Sequence, residues 1–203
     1  MPSSAFNRFV ALRDKAEHLV EHAAKMNKKA DQSAKSVFLH AALAAQTAAW
    51  DAYVKALAED YYVATAKPLD QSYHAMHAIA RDRMVAAREK LNTPNSENTR
   101  NFCLEYTGFD PWPHWSSVRL RGAVTGSALH VRERLNQVFK VRHSFAHGFT
   151  MPAYSWNQDS QGTTRLTCQV LRETAKFFSG LAQGTDAGMA SHIQLQHGLT
   201  HPW

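Results

Sequence analysis

Arg142, His143, Ser144 and His147 stand close together in the run Val141-Arg142-His143-Ser144-Phe145-Ala146-His147-Gly148-Phe149, the densest cluster of reactive side chains in the chain. A guanidinium is a permanent positive fork suited to a phosphate, and an imidazole moves a proton near neutral pH. Cleavage of an RNA phosphodiester needs those two functions. One group must deprotonate the ribose 2′-hydroxyl, and one must offset the charge that grows on phosphorus. A histidine of ordinary pKa, about 6.5, is mostly neutral at pH 7.5 and needs no special tuning for the task. In an ideal helix, residues five apart are about 140° apart around the axis, so Arg142 and His147 do not share a face. They converge if the helix turns or frays at its end, as Gly148 suggests, or if two copies of the segment meet in a dimer.

The spacing alone is weak. With 13 arginines and 12 histidines, Arg-x-x-x-x-His arises about once by chance. Arg13 and His18 satisfy it too, but in the middle of a helical stretch without a glycine or polar neighbours, where a solvated helix face is the better reading. Ser144 reads as a helix-end hydrogen-bonding residue, because no acid–base triad is legible around it. Asp51, between Trp50 and Tyr53, is a secondary candidate. An unpaired acid is costly to bury, so Asp51 either orients an Arg or His of the site or faces outward, one residue off the apolar stripe.

The remaining histidines favour structure over chemistry. His18 and His22 are spaced i,i+4 and His74 and His77 i,i+3, as zinc ligands on a helix can be, but neither pair has an acidic or cysteine partner in a familiar motif and HExxH is absent. Polar surface or helix packing is expected at both, and no metal or other cofactor is expected. His192, His197 and His201 fall in a Gly/Gln-rich stretch that offers at most adventitious metal binding. Trp112 and Trp115 have the chemistry to stack on RNA bases, yet packing of a connector is the expected role.

The elements that must hold these residues are helical. Ser3 or Ser4 caps a first helix to about Lys28, with Phe6, Phe9, Val10, Arg13, Ala16, Leu19, Val20 and Ala23 recurring at helical spacing. Lys25, Lys28 and Lys29 gather at its end, where positive charge suits the dipole. A second helix runs from near Ser33 or Ser36 to about Ala64 on the stripe Leu39, Leu43, Gln46, Trp50, Tyr53, Val54, Leu57 and Tyr61. Pro68 breaks the chain, and Asp70 caps a third helix to about Leu91 with Tyr73, Met76, His77, Ala80, Met84 and Ala87 on one face. The Asn92-to-Glu97 stretch is a helix-start signal for a short helix that ends at Gly108, and Phe109 to Gly122 is an aromatic-rich loop. A fourth long helix spans Ser127 to about His147, with Leu129, Val131, Leu135, Val138, Phe139 and Val141 as apolar contacts. Thr150 to Gly162 turns through Pro152. Thr163 to about Ala182 is mainly helix, although Leu166, Cys168 and Val170 alternate as the opening of a strand does. The expectation is an all-α bundle of four to five long helices with one short helix. Residues 1–183 form a single domain, and residues 184–203 form a Gly/His/Gln-rich tail with little core-building capacity.

Composition agrees with this picture. The chain has 203 residues, 44% of them apolar and 20% charged, enough to bury one core. No apolar run approaches the roughly 18 residues of a membrane span, and the first residues carry charges every few positions with no signal-peptide core. Cys103 and Cys168 lie far apart, which excludes a disulfide framework and a cysteine zinc cluster. A soluble cytoplasmic protein with no membrane partner is expected. The formal charge of +6 favours a polyanion such as RNA.

The phrase Arg142-His143-Ser144-Phe145-Ala146-His147-Gly148 closely resembles the motif of the HEPN superfamily: Arg, a polar residue, three residues, then His near the end of a long helix. Two further stretches resemble its RiboL-PSP-HEPN branch. They are the aromatic–acid–aromatic segment Trp50-Asp51-Ala52-Tyr53-Val54, and the Asn92-Thr93-Pro94-Asn95-Ser96-Glu97-Asn98 helix start followed by the Trp112–Trp115 loop. The resemblance covers about residues 35–182. Where the family often has Asn after the Arg, this chain has His143, a residue found there in relatives too. The resemblance implies a metal-independent endoribonuclease, usually a homodimer with the motif helices facing across a composite cleft. Members serve as toxins or as effectors of antiviral defence, restrained in some systems by an antitoxin or defence-system partner. By position, Arg142 and His147 are the implied catalytic pair and His143 the auxiliary polar residue. The alternative is a catalytically inactive HEPN module that binds RNA, a nucleotide or a partner protein.

Overall fold

The computed structural model describes residues 1–27, 30–67, 69–118, 127–159 and 161–203. Lys28, Lys29, Pro68 and the last part of the predicted loop, 119–122, lie outside them. The described residues form six α-helices and no strand: α1 (Ser4–Lys25), α2 (Gln32–Ala64), α3 (Gln71–Lys90), α4 (Ser96–Thr107), α5 (Ala128–Ala146) and α6 (Cys168–His197). A 3₁₀ turn at Trp112–Trp115 precedes α5.

The expected caps form. The Ser3 side chain accepts from the Phe6 amide, Asp70 from Tyr73 and Asn95 from Asn98, at 2.8–3.0 Å. α2 is the central post. Its stripe from Leu39 to Leu57 is buried, and α1, α5 and α6 all pack on it. Trp50 lies at the middle, in ring contact with Tyr53, Trp115 and Phe178. Each buried polar edge of this cluster finds an acceptor: Trp50 Nε1 donates to the Pro94 carbonyl at 2.9 Å, Trp115 Nε1 to Thr185 Oγ1 at 2.9 Å, and the Tyr53 hydroxyl to the Ala182 carbonyl at 2.9 Å. The aromatic loop is thus core, as expected, and Trp112 lies between the Arg100 and Arg132 guanidiniums.

Several expectations are corrected. No strand opens α6: Gln158 and Thr164 make one isolated bridge, and Cys168 and Val170 are already helical behind the Thr167 cap. Met76 and Leu129 are exposed rather than on a packed face. The largest correction concerns residues 184–203. α6 continues to His197, and Thr185, Met189 and Ile193 are buried, extending the stripe from Leu181 at four-residue spacing. The glycines that suggested a tail are contact points. A Cβ on Gly184 would stand 2.7 Å from the His114 carbonyl oxygen, and one on Gly188 2.5 Å from the His114 ring, so only glycine lets the 3₁₀ turn approach α6. Buried Asp186 accepts from the amide and hydroxyl of Ser3, tying the start of α1 to the same part of α6.

Two of the supposed tail histidines also have structural partners. His192 Nε2 lies 2.9 Å from the Thr107 carbonyl, and His197 Nε2 lies 3.1 Å from the Tyr61 hydroxyl. Near them His77 contacts Thr65 Oγ1 at 3.1 Å and stacks on Tyr73. Burial holds His77 and His197 below the ordinary histidine pKa. Neighbouring His74 and Arg81 add to the effect at His77, and Lys67, His192 and His77 add to it at His197.

Candidate functional site

The motif helix α5 is held along its length. Val131, Leu135, Val138 and Val141 are fully buried. Asn136 accepts from the Ser96 amide at 2.9 Å and donates to Glu97, fastening α5 to the first turn of α4. The segment after α5 folds back on it: Trp156 Nε1 donates to Gln137 Oε1 at 3.1 Å, and the Arg134 guanidinium lies 3.5 Å over the Trp156 ring. The last turn of α5 therefore projects from a fixed rod.

That turn ends in a Schellman motif. The Phe149 amide donates to the Ser144 carbonyl at 2.8 Å and the Gly148 amide to the Phe145 carbonyl at 3.3 Å. Gly148 adopts φ +68°, and a Cβ there would meet nothing within 4 Å, so the glycine answers a backbone requirement and not a packing one. His147 is the C-cap, outside regular helix, as a turning helix end requires.

Within this frame Arg142 is half-buried, and among the described residues its side chain makes no hydrogen bond or ion pair. Its donor fork is left for an outside acceptor. His147 is exposed, and neither ring nitrogen is hydrogen-bonded among the described residues. Its ring centroid lies 5.3 Å from that of His143 and 6.0 Å from that of Phe149. His143 is half-buried, with Nδ1 covered and without a hydrogen-bond partner among the described residues. His143 is thus the direct neighbour of His147, as its i,i+4 spacing allows, whereas no hydrogen bond, ion pair or ring contact joins Arg142 to His147 among the described residues. Ser144 is buried and its hydroxyl donates to the Val141 carbonyl at 2.8 Å, the helix-end role expected of it.

Asp51 is placed differently. Its Oδ2 pairs with Lys55 Nζ at 2.8 Å, one turn further along α2, and its Oδ1 is buried without a partner among the described residues. Its partner is a lysine of its own helix, not an Arg or His of α5. The decoy pair is also separated: Arg13 bonds Asp14 and Ser179, while His18 lies beside Glu21.

Two features escaped sequence reasoning. The stretch 134–158 contains Arg134, Lys140, Arg142, His143 and His147 and no acidic residue, so the end of α5 is locally far more basic than the chain as a whole. His40 of α2 stacks on Phe145 of α5, ring centroids 4.2 Å apart at 21°, which brings the start of α2 to the motif. The acid-free stretch was legible in the sequence. The stacking was not, because it joins residues over a hundred positions apart.

Among the described residues, no group of three or more His, Cys, Asp or Glu side chains is arranged to hold a metal ion, and no helix is long and apolar enough to cross a membrane. Comparison with curated proteins and with solved structures returns no match. The RiboL-PSP-HEPN family model matches residues 10–187, extending past the sequence resemblance at both ends and into the part of α6 first read as tail. With the helical bundle and the motif at the end of α5, this coverage places the chain in the RiboL-PSP-HEPN family, a HEPN-type domain.

Proposed function

We propose that the protein is a metal-independent endoribonuclease of the toxin or antiviral-defence type, acting in the cytoplasm as a homodimer with Arg142 and His147 as its catalytic pair. HEPN-type domains are often ribonucleases or nucleotide binders. The observation that favours cleavage is the last turn of α5, where a guanidinium and an exposed imidazole, neither bonded among the described residues, stand in an acid-free stretch. Arg100, by contrast, is paired with Asp110 at 2.8 Å.

In this reading, neutral His147 takes the proton of the ribose 2′-hydroxyl. The 2′ oxygen attacks phosphorus, the bond from phosphorus to the 5′ oxygen breaks, and the departing oxygen takes a proton from water. Arg142 holds the non-bridging oxygens and offsets their growing charge. The products are a 2′,3′-cyclic phosphate and a 5′-hydroxyl. His143, 5.3 Å from His147, limits the orientations open to the catalytic ring. Phe145 and Phe149 flank His147 at 50% and 71% exposure, an apolar pair that a second copy would cover while bringing its own motif across the cleft.

The test is cleavage of total RNA in EDTA by the wild type, Arg142→Ala and His147→Ala. Cutting by the wild type and loss of at least about 100-fold in both variants is expected for a base and a charge-stabilising donor. Binding without cutting by the wild type would instead identify a silent RNA-binding module.

A further inference from the structure

A cleft of about 640 Å³ opens beside the motif, between the start of α2 and the residues that lead into α6. Its wall carries Gln32, Lys35, Ser36 and His40 on one side and Arg165, Thr167 and Gln169 on the other, with Leu39, Met151 and Leu166 as an apolar floor. Volumes of roughly 300–1,000 Å³ are typical of sites for small organic ligands, so the cleft has room for a nucleotide unit. No acidic residue lines it, and the stretches 32–50 and 160–172 that build it contain none. The Lys35 ammonium has no ion-pair partner among the described residues. Arg165 pairs with Asp159 at 3.0 Å yet remains 60% exposed, leaving guanidinium donors toward solvent. The first turns of α2 and α6 both start at this cleft, with Asp31 as the cap of α2 and Thr167 accepting from the Val170 amide; first-turn amides left without helical acceptors favour an anion.

The cleft is linked to the motif through His40 and Met151. His40 lines it and stacks on Phe145, two residues before His147, while Met151 lies four residues after His147. We infer that this cleft is the binding track for the single-stranded RNA flanking the scissile bond, with Lys35 and Arg165 holding successive phosphates and a base lying over Leu39, Met151 and Leu166. The inference rests on the ribonuclease reading for its substrate, but it is a claim about binding and has its own readout. The apolar floor favours a strand with unpaired bases over a duplex, whose bases are already stacked and turned inward.

The probe is a short 2′-O-methyl oligouridylate, which cannot be cut by 2′-hydroxyl attack, with binding followed by fluorescence anisotropy across a salt series. Removing two phosphate contacts to a single strand lowers the slope of log K against log salt by about 1.4. Lys35→Gln/Arg165→Gln is expected to show that change and at least about tenfold weaker binding at low salt. Lys35→Gln alone, which breaks no ion pair, should show half the slope change. Lys176→Gln, at an exposed lysine on α6, is the charge-matched control for Lys35→Gln and should leave both slope and affinity unchanged. With a cleavable strand, the double variant should raise KM and leave kcat in place. An unchanged slope in the double variant, an equal loss in the control, absence of wild-type binding, or binding of free uridine monophosphate as tight as the strand would each overturn the assignment. A wild type that binds through these residues but never cuts would refute the ribonuclease reading and leave the track standing.

Discussion

Replacing Gly148 with alanine tests whether the geometry at the end of α5 matters to chemistry. Gly148 sits at φ +68° with open space around its Cα, so the added methyl meets nothing and the cost is confined to the backbone. Placing an L-residue in the left-handed region costs roughly 1–2 kcal/mol, and the less flexible unfolded chain returns about 0.4–1 kcal/mol, leaving a net loss of about 1 kcal/mol. Gly198, at the end of α6, offers a matched control: it has the same φ of +68°, and its Cβ position is equally empty. Urea denaturation should therefore show nearly equal destabilisation in Gly148→Ala and Gly198→Ala. Their activities should part. If Gly148→Ala loosens the turn that carries His147, its ring shifts relative to Arg142, and for the proposed catalytic pair misplacement of about 1 Å can cost on the order of 100-fold in rate. A fall in kcat of at least about tenfold is expected for Gly148→Ala, with Gly198→Ala at the wild-type value. Equal stability losses with unchanged kcat in both would refute the claim that the Schellman turn positions the site.

Other predictions follow from the same contacts. Ile193→Ala removes a fully buried side chain of α6 and should cost about 2–5 kcal/mol in urea denaturation, where a true tail residue would change stability by less than about 0.5 kcal/mol. Asp51→Asn should leave kcat in place, because the carboxylate pairs with Lys55; a kcat loss without a stability loss would place Asp51 in the chemistry after all. His77 and His197 have depressed pKa values when folded, so the unfolded chain binds more protons, and the stability they contribute is present above about pH 6.5 and lost as pH falls toward their folded values. The melting temperature should drop on acidification below that point, and His77→Gln should flatten the drop; an equal drop in the variant would show that other groups cause it.

Much of the fold was legible because local signals agreed. Asp70 is a side-chain cap in the sequence and in the structure, the cap expected at Ser3 or Ser4 is Ser3, the one in the helix-start stretch 92–97 is Asn95, and the α2 stripe from Leu39 to Leu57 is buried as its period requires. The end of α6 was misread because Gly184 and Gly188 look like helix breakers when composition alone is weighed. Their reason is the close approach of His114, seventy or more positions earlier. The four-residue spacing of Leu181, Thr185, Met189 and Ile193 was the signal that could have prevailed. At the site, the motif singles out Arg142 and His147, and Gly148 marks a turn that the structure contains. Asp51 shows the opposite limit. An acid inside an aromatic helix needs a partner, but sequence does not say which, and the lysine one turn away meets that need as well as an active-site arginine would.

The central claim concerns 2′-hydroxyl attack at a site made by Arg142 and His147. It is tested most directly with an otherwise deoxyribose oligonucleotide carrying a single ribose, incubated in EDTA and analysed by mass spectrometry. The account predicts one cut, immediately 3′ of that ribose, with a 2′,3′-cyclic phosphate on one fragment and a 5′-hydroxyl on the other, and no product with Arg142→Ala or His147→Ala. Cleavage at deoxyribose positions, a 5′-phosphate product, or undiminished cutting by either variant would contradict it.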